Sequence, residues 1–151
     1  KQQGVSIARV YRDAAGVPVD SARLAHGATQ LIELTITCEQ GINNLVVADL
    51  LAAGLEIEKP RLDADALAIA EEQGAVTPSH LEVRDDRLVL AFDHLPQGTH
   101  HFYYLVRAVT PGKFQYPPAY AECMYEPAIH GNSAPGTVEI VEAAAPGAQE
   151  P

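Results

Sequence analysis

Apolar and polar residues alternate with a period of two along most of the chain, which is the pattern of β-strands with one buried face. The clearest case runs from Gln30 to Cys38, "QLIELTITC". One face of this strand is predicted to point into a core and consists of Ile32, Leu34, Ile36 and Cys38. The opposite face is predicted to point outward and consists of Leu31, Glu33, Thr35 and Thr37. The segment is therefore predicted to be a half-buried strand.

Two other segments predict paired strands. The run from Leu81 to Phe92, "LEVRDDRLVLAF", has apolar positions on both sides of Asp85-Asp86, which predicts a hairpin with its turn at the aspartates. The run from His101 to Val109, "HFYYLVRAV", is apolar on both faces, which is typical of a central strand. Shorter strands are predicted at "VSIARVYR", "NLVVADLL", "LEIE" and "GTVEIVE".

One segment departs from the strand pattern. From Asp63 to Gly74, "DADALAIAEEQG" has an Asp that can cap a helix, several Ala and Glu residues, and a closing Gly, which together predict a short helix. Seven or eight strands and only one helix predict an all-β fold, an antiparallel β-sandwich with one short inserted helix. We expect a single domain over residues 1–142 and a flexible C-terminal tail over 143–151, "AAAPGAQEP".

Charge and hydropathy limit the class of partner. The chain has 151 residues, enough for one domain with a core, and a formal net charge of -10. Nucleic acids and anionic membrane surfaces attract clusters of Lys and Arg, so no nucleic-acid partner is expected. No apolar stretch is long enough to span a bilayer. The abrupt start, "KQQGVSIARV", leads us to expect a mature chain or a piece of a longer polypeptide.

The segment "TCEQ" contains a Cys and a Gln close together, which raises the question of an internal thioester. In thioester motifs two residues separate the Cys from the Gln, whereas Glu39 alone separates Cys38 from Gln40. Cys38 also lies on the core-facing side of its strand, which favours a buried structural thiol. Pairing of Cys38 with Cys123 stays open, because the sequence does not reveal the redox compartment.

Three other groups contain residue types that can carry chemistry: His100 with His101, Cys123 with His130 and Ser133, and Asp85 and Asp86 with Asp93. Neighbouring strand residues point to opposite faces, so the two histidines do not converge on one metal ion. No base or oxyanion site is indicated beside the cysteine. A hairpin turn accounts for the adjacent aspartates without calcium. We therefore expect neither an enzyme nor a bound cofactor or metal.

The segment from Thr110 to Pro127, "TPGKFQYPPAYAECMYEP", is unusually aromatic for a connection between strands. The double proline interrupts strand pairing, so the segment is interpreted as a long loop. Its large apolar residues are Phe114, Tyr116, Tyr120, Met124 and Tyr125. Such a loop either plugs one end of its own sandwich or exposes a contact surface, and the residues alone favour neither.

The blocks "VRAVTPGKFQYPPAYAECMY", "LVVADLLAAGLEIEKPRL" and "LEVRDDRLVLAFDHLPQGTHHFYYLVRAVTPG" resemble the C-terminal macroglobulin-like domain of bacterial alpha-2-macroglobulins. The resemblance covers roughly Val5 to Val141. It implies a fold of macroglobulin or fibronectin-III type within a large periplasmic protease trap, anchored in the inner membrane through the N-terminus of the parent protein. The implied partners are other domains of the same polypeptide, among them a thioester domain in some members, and target proteases through the parent.

The resemblance also implies a site. In family members a loop of this domain covers a Cys-X-Glu-Gln thioester in the resting state, and a tyrosine of a Met-Tyr pair shields it from water. In this sequence the pair is Met124 and Tyr125. The predicted contact residues are Glu122, Cys123, Met124, Tyr125, Glu126 and Pro127, with Tyr116 and Tyr120. A thioester persists only where water is excluded, and a Tyr ring is a large and rigid cover. The alternative function is an interaction module that recruits other envelope proteins.

Overall fold

A computed structural model describes residues 4–12, 17–18, 23–58 and 75–142. The strands within these ranges are β1 (Val5–Arg12), β2 (Arg23–Ala25), β3 (Thr29–Cys38), β4 (Ile42–Leu50), β5 (Leu55–Ile57), β6 (His80–Val83), β7 (Arg87–Leu95), β8 (Gly98–Ala108), β9 (Gly112–Tyr116), β10 (Tyr120–Cys123), β11 (Glu126–Asn132) and β12 (Gly136–Val141). The helix predicted at 63–74 and the tail predicted at 143–151 lie outside the described residues.

The strands form three sheets that share one core. The four-stranded sheet has the order β1-β3-β8-β5, the five-stranded sheet β11-β10-β4-β7-β6, and the three-stranded sheet β2-β12-β9. Neighbouring strands in the four- and five-stranded sheets are antiparallel, while β2 pairs with β12 in parallel. Buried side chains from all three sheets belong to a single hydrophobic cluster. The predicted all-β antiparallel sandwich is confirmed.

The longest sequence patterns predicted their elements well. Strands β6 and β7 form the expected antiparallel hairpin, with Asp85 and Asp86 between them. Strand β8 lies between β3 and β5, as predicted for a central strand, although it already begins at Gly98. The segment "VSIARVYR" is β1 over its full length.

The prediction that one face of β3 points outward is wrong at two of its positions. Leu31 and Glu33, predicted to face outward, are only 3% and 2% exposed. Glu33 is buried because its carboxylate has partners: Arg12 Nε donates to it at 2.6 Å and the Tyr103 hydroxyl at 3.1 Å. A buried carboxylate is tolerated when it is paired and hydrogen-bonded, so alternation alone did not reveal that this part of β3 is covered on both faces.

The prediction that the aromatic segment is a long loop is also wrong. It contains β9 and β10 and the start of β11. The double proline separates β9 from β10 without preventing either strand, since proline is tolerated between paired segments. Strand β10 spans only four residues, with Ala121 and Cys123 buried and Tyr120 and Glu122 on the other face, so its alternation is too short to stand out in the sequence.

Candidate functional site

The most exposed large apolar side chains of the described ranges lie together at the end of one hairpin. Met124 and Tyr125 connect β10 to β11, between the paired residues Cys123 and Glu126. Met124 is 56% exposed and Tyr125 is 75% exposed. We call Met124 and Tyr125 the hairpin tip. Tyrosine and methionine are enriched in protein interfaces, so the tip has the chemistry of a contact surface.

The other predicted contact residues fall into two groups. Glu126 and Pro127 are exposed beside the tip, and Tyr120 and Glu122 lie on the outer face of β10. Tyr116 and Cys123 are instead 1% and 5% exposed and belong to the hydrophobic core of the domain. Their side chains therefore have no surface to offer to another domain.

The base of the hairpin is fastened to the sandwich. Arg9 Nη2 donates to the carbonyl oxygen of Pro117 at 2.8 Å, just before β10 begins. The backbone amide of Ala119 donates to Ser133 Oγ at 2.8 Å, and the amide of Ser133 donates to the carbonyl oxygen of Ala119 at 2.8 Å. The hairpin is thus fixed to the core at its base and ends in an exposed apolar tip.

Arg9 belongs to a buried polar network that joins the sheets. Its Nε donates to Asp49 Oδ1 at 3.0 Å, and the Tyr104 hydroxyl donates to Asp49 Oδ2. The guanidinium carbon lies 4.2 Å from the ring centroid of Tyr116, a cation–π contact. Burial works against the charged form of Arg9, yet the Asp49 carboxylate holds the Arg9 pKa above its usual value. Burial and then Asp49 raise the Tyr104 pKa well above normal.

A second network lies around Glu33. Besides its bonds from Arg12 and Tyr103, Glu33 Oε2 lies 2.6 Å from Nδ1 of His101, a close contact without the alignment of a hydrogen bond. The neighbouring His100 contacts the carbonyl oxygen of Pro96 at 2.7 Å instead. The two histidines thus have different partners.

Both cysteines are buried free thiols. Cys38 lies in the core opposite Gly98, and burial raises the pKa of its thiol. The Cys123 thiol donates to the carbonyl oxygen of Asn43 at 3.2 Å. Within the described ranges, no group of three or more His, Cys, Asp and Glu side chains is arranged to hold a metal ion. None of the described segments is a helix long and apolar enough to cross a membrane.

Sequence reasoning missed the residues beneath the tip. The backbone amide of Met124 donates to the carbonyl oxygen of Asn44 at 2.9 Å, beside the thiol contact to Asn43. Asn44 has a φ of 58°, a left-handed conformation. The one available signal was the Asn-Asn pair at the start of a predicted strand, since Asn adopts this conformation more readily than other residues with a side chain.

Comparison with known sequences identifies relatives. A family model described as the bacterial alpha-2-macroglobulin MG10 domain matches residues 4–128. The alpha-2-macroglobulin of Xylella fastidiosa strain 9a5c is 36% identical over 138 residues, which is 84% of this chain and 8% of that protein. The alpha-2-macroglobulin of Escherichia coli K12 is 33% identical over 130 residues, 78% of this chain and 8% of that protein. The chain thus spans less than a tenth of the length of these relatives.

Solved structures of bacterial alpha-2-macroglobulins contain a domain with the same fold. Trypsin-activated alpha-2-macroglobulin from Escherichia coli superimposes with a TM-score of 0.84 at 27% identity, over 93% of this chain and 10% of that one. Salmonella alpha-2-macroglobulin reacted with methylamine gives a TM-score of 0.81 at 28% identity, over 93% of this chain and 9% of that one. The sandwich that presents the hairpin tip is shared with both structures, and the chain belongs to the bacterial alpha-2-macroglobulin family, as a macroglobulin-like domain of the MG10 type.

Proposed function

We propose that this domain docks on another domain of a larger alpha-2-macroglobulin through the hairpin tip and thereby stabilises the resting state of a protease inhibitor. The observation that carries the proposal is the exposure of Met124 and Tyr125 at 56% and 75%, on a hairpin whose base is fixed in the core. Single exposed apolar side chains are common on protein surfaces, but two large ones that lie side by side form a patch. Exposed together, they favour a contact with a partner surface.

The relatives supply a reason for such a contact. The Escherichia coli protein has been solved in a native and in a trypsin-activated form, and the Salmonella protein after reaction with methylamine. A domain contact that is made in one state and broken in another gives an exposed apolar tip a function. Burial of a Met or an aromatic side chain contributes about 2 kcal/mol each, which is enough to bias two states and small enough to be overcome when the parent rearranges.

In a parent that carries a Cys-X-Glu-Gln thioester, we place the tip over that bond. Water and small amines both attack a thioester, so its lifetime depends on their exclusion. The Tyr125 ring covers a wide area with two rotatable side-chain torsions, and its hydroxyl stays at the polar rim. The role is one of exclusion rather than bond-making, so the domain itself is not an enzyme. The parent acts in the periplasm, and it is the parent that meets the target proteases.

The test is methylamine consumption by the resting parent protein carrying Tyr125→Ala. We expect faster consumption than in the wild type, because the cover is removed. Tyr125→Phe keeps the ring and should stay close to the wild-type rate. Val83→Ala is the matched control, since it removes another exposed apolar side chain, 42% exposed on β6. Equal rates of methylamine consumption in Tyr125→Ala and Val83→Ala would contradict the proposal.

A further inference from the structure

The pairing of β10 with β11 is irregular just below the hairpin tip. Glu122 on β10 pairs with His130 on β11, whereas the next residue, Cys123, pairs with Glu126. Residues 127–129 therefore lie between these two pairs without a Cα partner on β10. Such an irregularity interrupts the regular pairing of the two strands just below the tip.

The turn at Met124 and Tyr125 does not compensate for this irregular pairing. Two-residue hairpin turns match the twist of their strands when one or both central residues have a positive φ. Neither Met124 nor Tyr125 has one, since Asn44 is the single non-glycine residue with a positive φ in the described ranges. A turn of the other types tends to splay the strands apart. The tip therefore needs an anchor outside the hairpin.

Strand β4 provides this anchor. The regular pairing of β10 with β4 ends where Cys123 lies opposite Leu45. Beyond that pair, the carbonyl oxygen of Asn44 accepts the Met124 amide at 2.9 Å, and the carbonyl oxygen of Asn43 accepts the Cys123 thiol at 3.2 Å. Two successive carbonyl groups of β4 are thus used by the last residue of β10 and the first residue of the tip.

The left-handed backbone of Asn44 coincides with a change in the direction of the side chains along β4. Leu45 and Val47 are buried on alternate positions, so regular alternation would also bury Asn43. Instead Asn43 is exposed and Ile42 is buried. The strand therefore reverses its faces at Asn44, at the residue whose carbonyl group bonds to the tip.

We propose that Asn44 is a positioning residue: its left-handed conformation aims its carbonyl oxygen at the Met124 amide and fixes the orientation in which the hairpin tip is presented. The inference rests on the proposed docking function for the role of the hairpin tip, whereas the contact between Asn44 and Met124 does not depend on that function. Asn44 acts through its backbone and through Met124. Substitution of Asn44 by a residue that avoids the left-handed region is expected to weaken the hydrogen bond to the Met124 amide. Substitution by a residue that tolerates this region is expected to keep that bond.

The first test compares Asn44→Ala with Asn44→Gly in this 151-residue chain. Both variants remove the Asn side chain, but glycine adopts a positive φ freely and alanine does not. Hydrogen exchange of the Met124 amide is measured relative to the most protected amides of the β3–β8 ladder, which separates local opening from global destabilisation. We expect Asn44→Ala to exchange about tenfold faster than the wild type. Asn44→Gly should stay within about threefold of it.

The result that overturns the inference is equal Met124 exchange in the alanine and glycine variants. Asn44→Asp is a second check, because Asp also tolerates the left-handed region, and it should keep the Met124 amide protected. Rapid exchange in Asn44→Asp, matching that in Asn44→Ala, would also contradict a role for the backbone conformation.

Methylamine consumption by the parent separates this inference from the docking function. Faster consumption in both Tyr125→Ala and Asn44→Ala, with the wild-type rate in Asn44→Gly, supports both. If Asn44→Ala exposes the Met124 amide while neither it nor Tyr125→Ala changes the rate, positioning stands and docking fails. If Tyr125→Ala raises the rate while Asn44→Ala leaves both the rate and the Met124 amide unchanged, docking stands and positioning fails.

Discussion

The guanidinium of Arg9 and the carboxylate of Asp49 form an ion pair between the four-stranded and five-stranded sheets, with side chains only 2% and 0% exposed. Removal of one partner leaves the other as an uncompensated buried charge. Arg9→Met is therefore expected to lower the free energy of unfolding by about 3–5 kcal/mol. Urea unfolding followed by circular dichroism measures this loss.

The exposed pair of Arg84 with Glu82 is the control for that prediction, with side chains 61% and 39% exposed. Glu82→Ala should cost less than about 1 kcal/mol, because solvent screens such a pair. The double variant Arg9→Met/Asp49→Leu should cost clearly less than the sum of its two single changes, since it leaves no unpaired charge. Strict additivity in this cycle would mean that the two groups do not stabilise each other.

Alkaline pH is predicted to destabilise the domain. Burial, reinforced by Asp49, raises the pKa values of Tyr104 and Tyr116 above normal. Above about pH 10, tyrosines of the unfolded chain lose protons while these two keep theirs, so the unfolded state gains stability as the pH rises. Below about pH 10 the stabilisation from these two tyrosines is complete. Above that pH, each of them lowers the free energy of unfolding by up to about 1.4 kcal/mol per pH unit.

Urea unfolding at pH 9, 10 and 11 measures this slope, and Tyr104→Phe is the variant to compare. Phenylalanine does not titrate, so the fall in unfolding free energy between pH 10 and 11 should become shallower by up to about 1.4 kcal/mol. The substitution also removes a hydrogen bond to Asp49 and lowers stability at every pH. The slope rather than the absolute stability is therefore the readout, and an identical slope would contradict the prediction.

Gly54 is predicted to tolerate no side chain. A Cβ at this position would lie 2.4 Å from Cε2 of Phe114 and 2.7 Å from Cδ1 of Ile140. Gly54→Ala should therefore destabilise the domain by about 1–3 kcal/mol through overpacking. Gly136→Ala is the matched control, because a Cβ there meets nothing within 4 Å and the backbone needs no positive φ. Thermal unfolding of the two variants should separate them, and equal midpoints would contradict the packing at Gly54.

The sequence predicted elements whose pattern is long and local. Strand β3 and the β6–β7 hairpin were recognisable because alternation runs through many residues or brackets an obvious turn. Strands β9 and β10 were not, because each is short and is completed by distant partners: β9 by β12, and β10 by β4. The three-residue strand β2 was also missed, whereas the equally short β5 was predicted from "LEIE".

The site was predictable in chemistry but not in geometry. The sequence indicated Met124 and Tyr125 through their apolar character in a turn, and the resemblance supplied a role. It did not reveal that Cys123 lies in the core, since burial there depends on contact with β4. It also gave no reason to connect Asn44 with Met124, eighty positions away in the chain. Asp49 shares its face with Leu45 and Val47, so alternation could have predicted a buried carboxylate, but it could not have identified Arg9 as its partner.

The most direct test of docking is the oxidation of Met124 and Tyr125 by hydroxyl radicals, measured by mass spectrometry in this chain and in the whole parent protein. In the isolated chain both side chains should react readily, at 56% and 75% exposure. We predict that both are protected in the resting parent and become reactive again after a protease cleaves it. Equal oxidation in the isolated chain and in the resting parent would contradict the account, because the hairpin tip would then contact nothing.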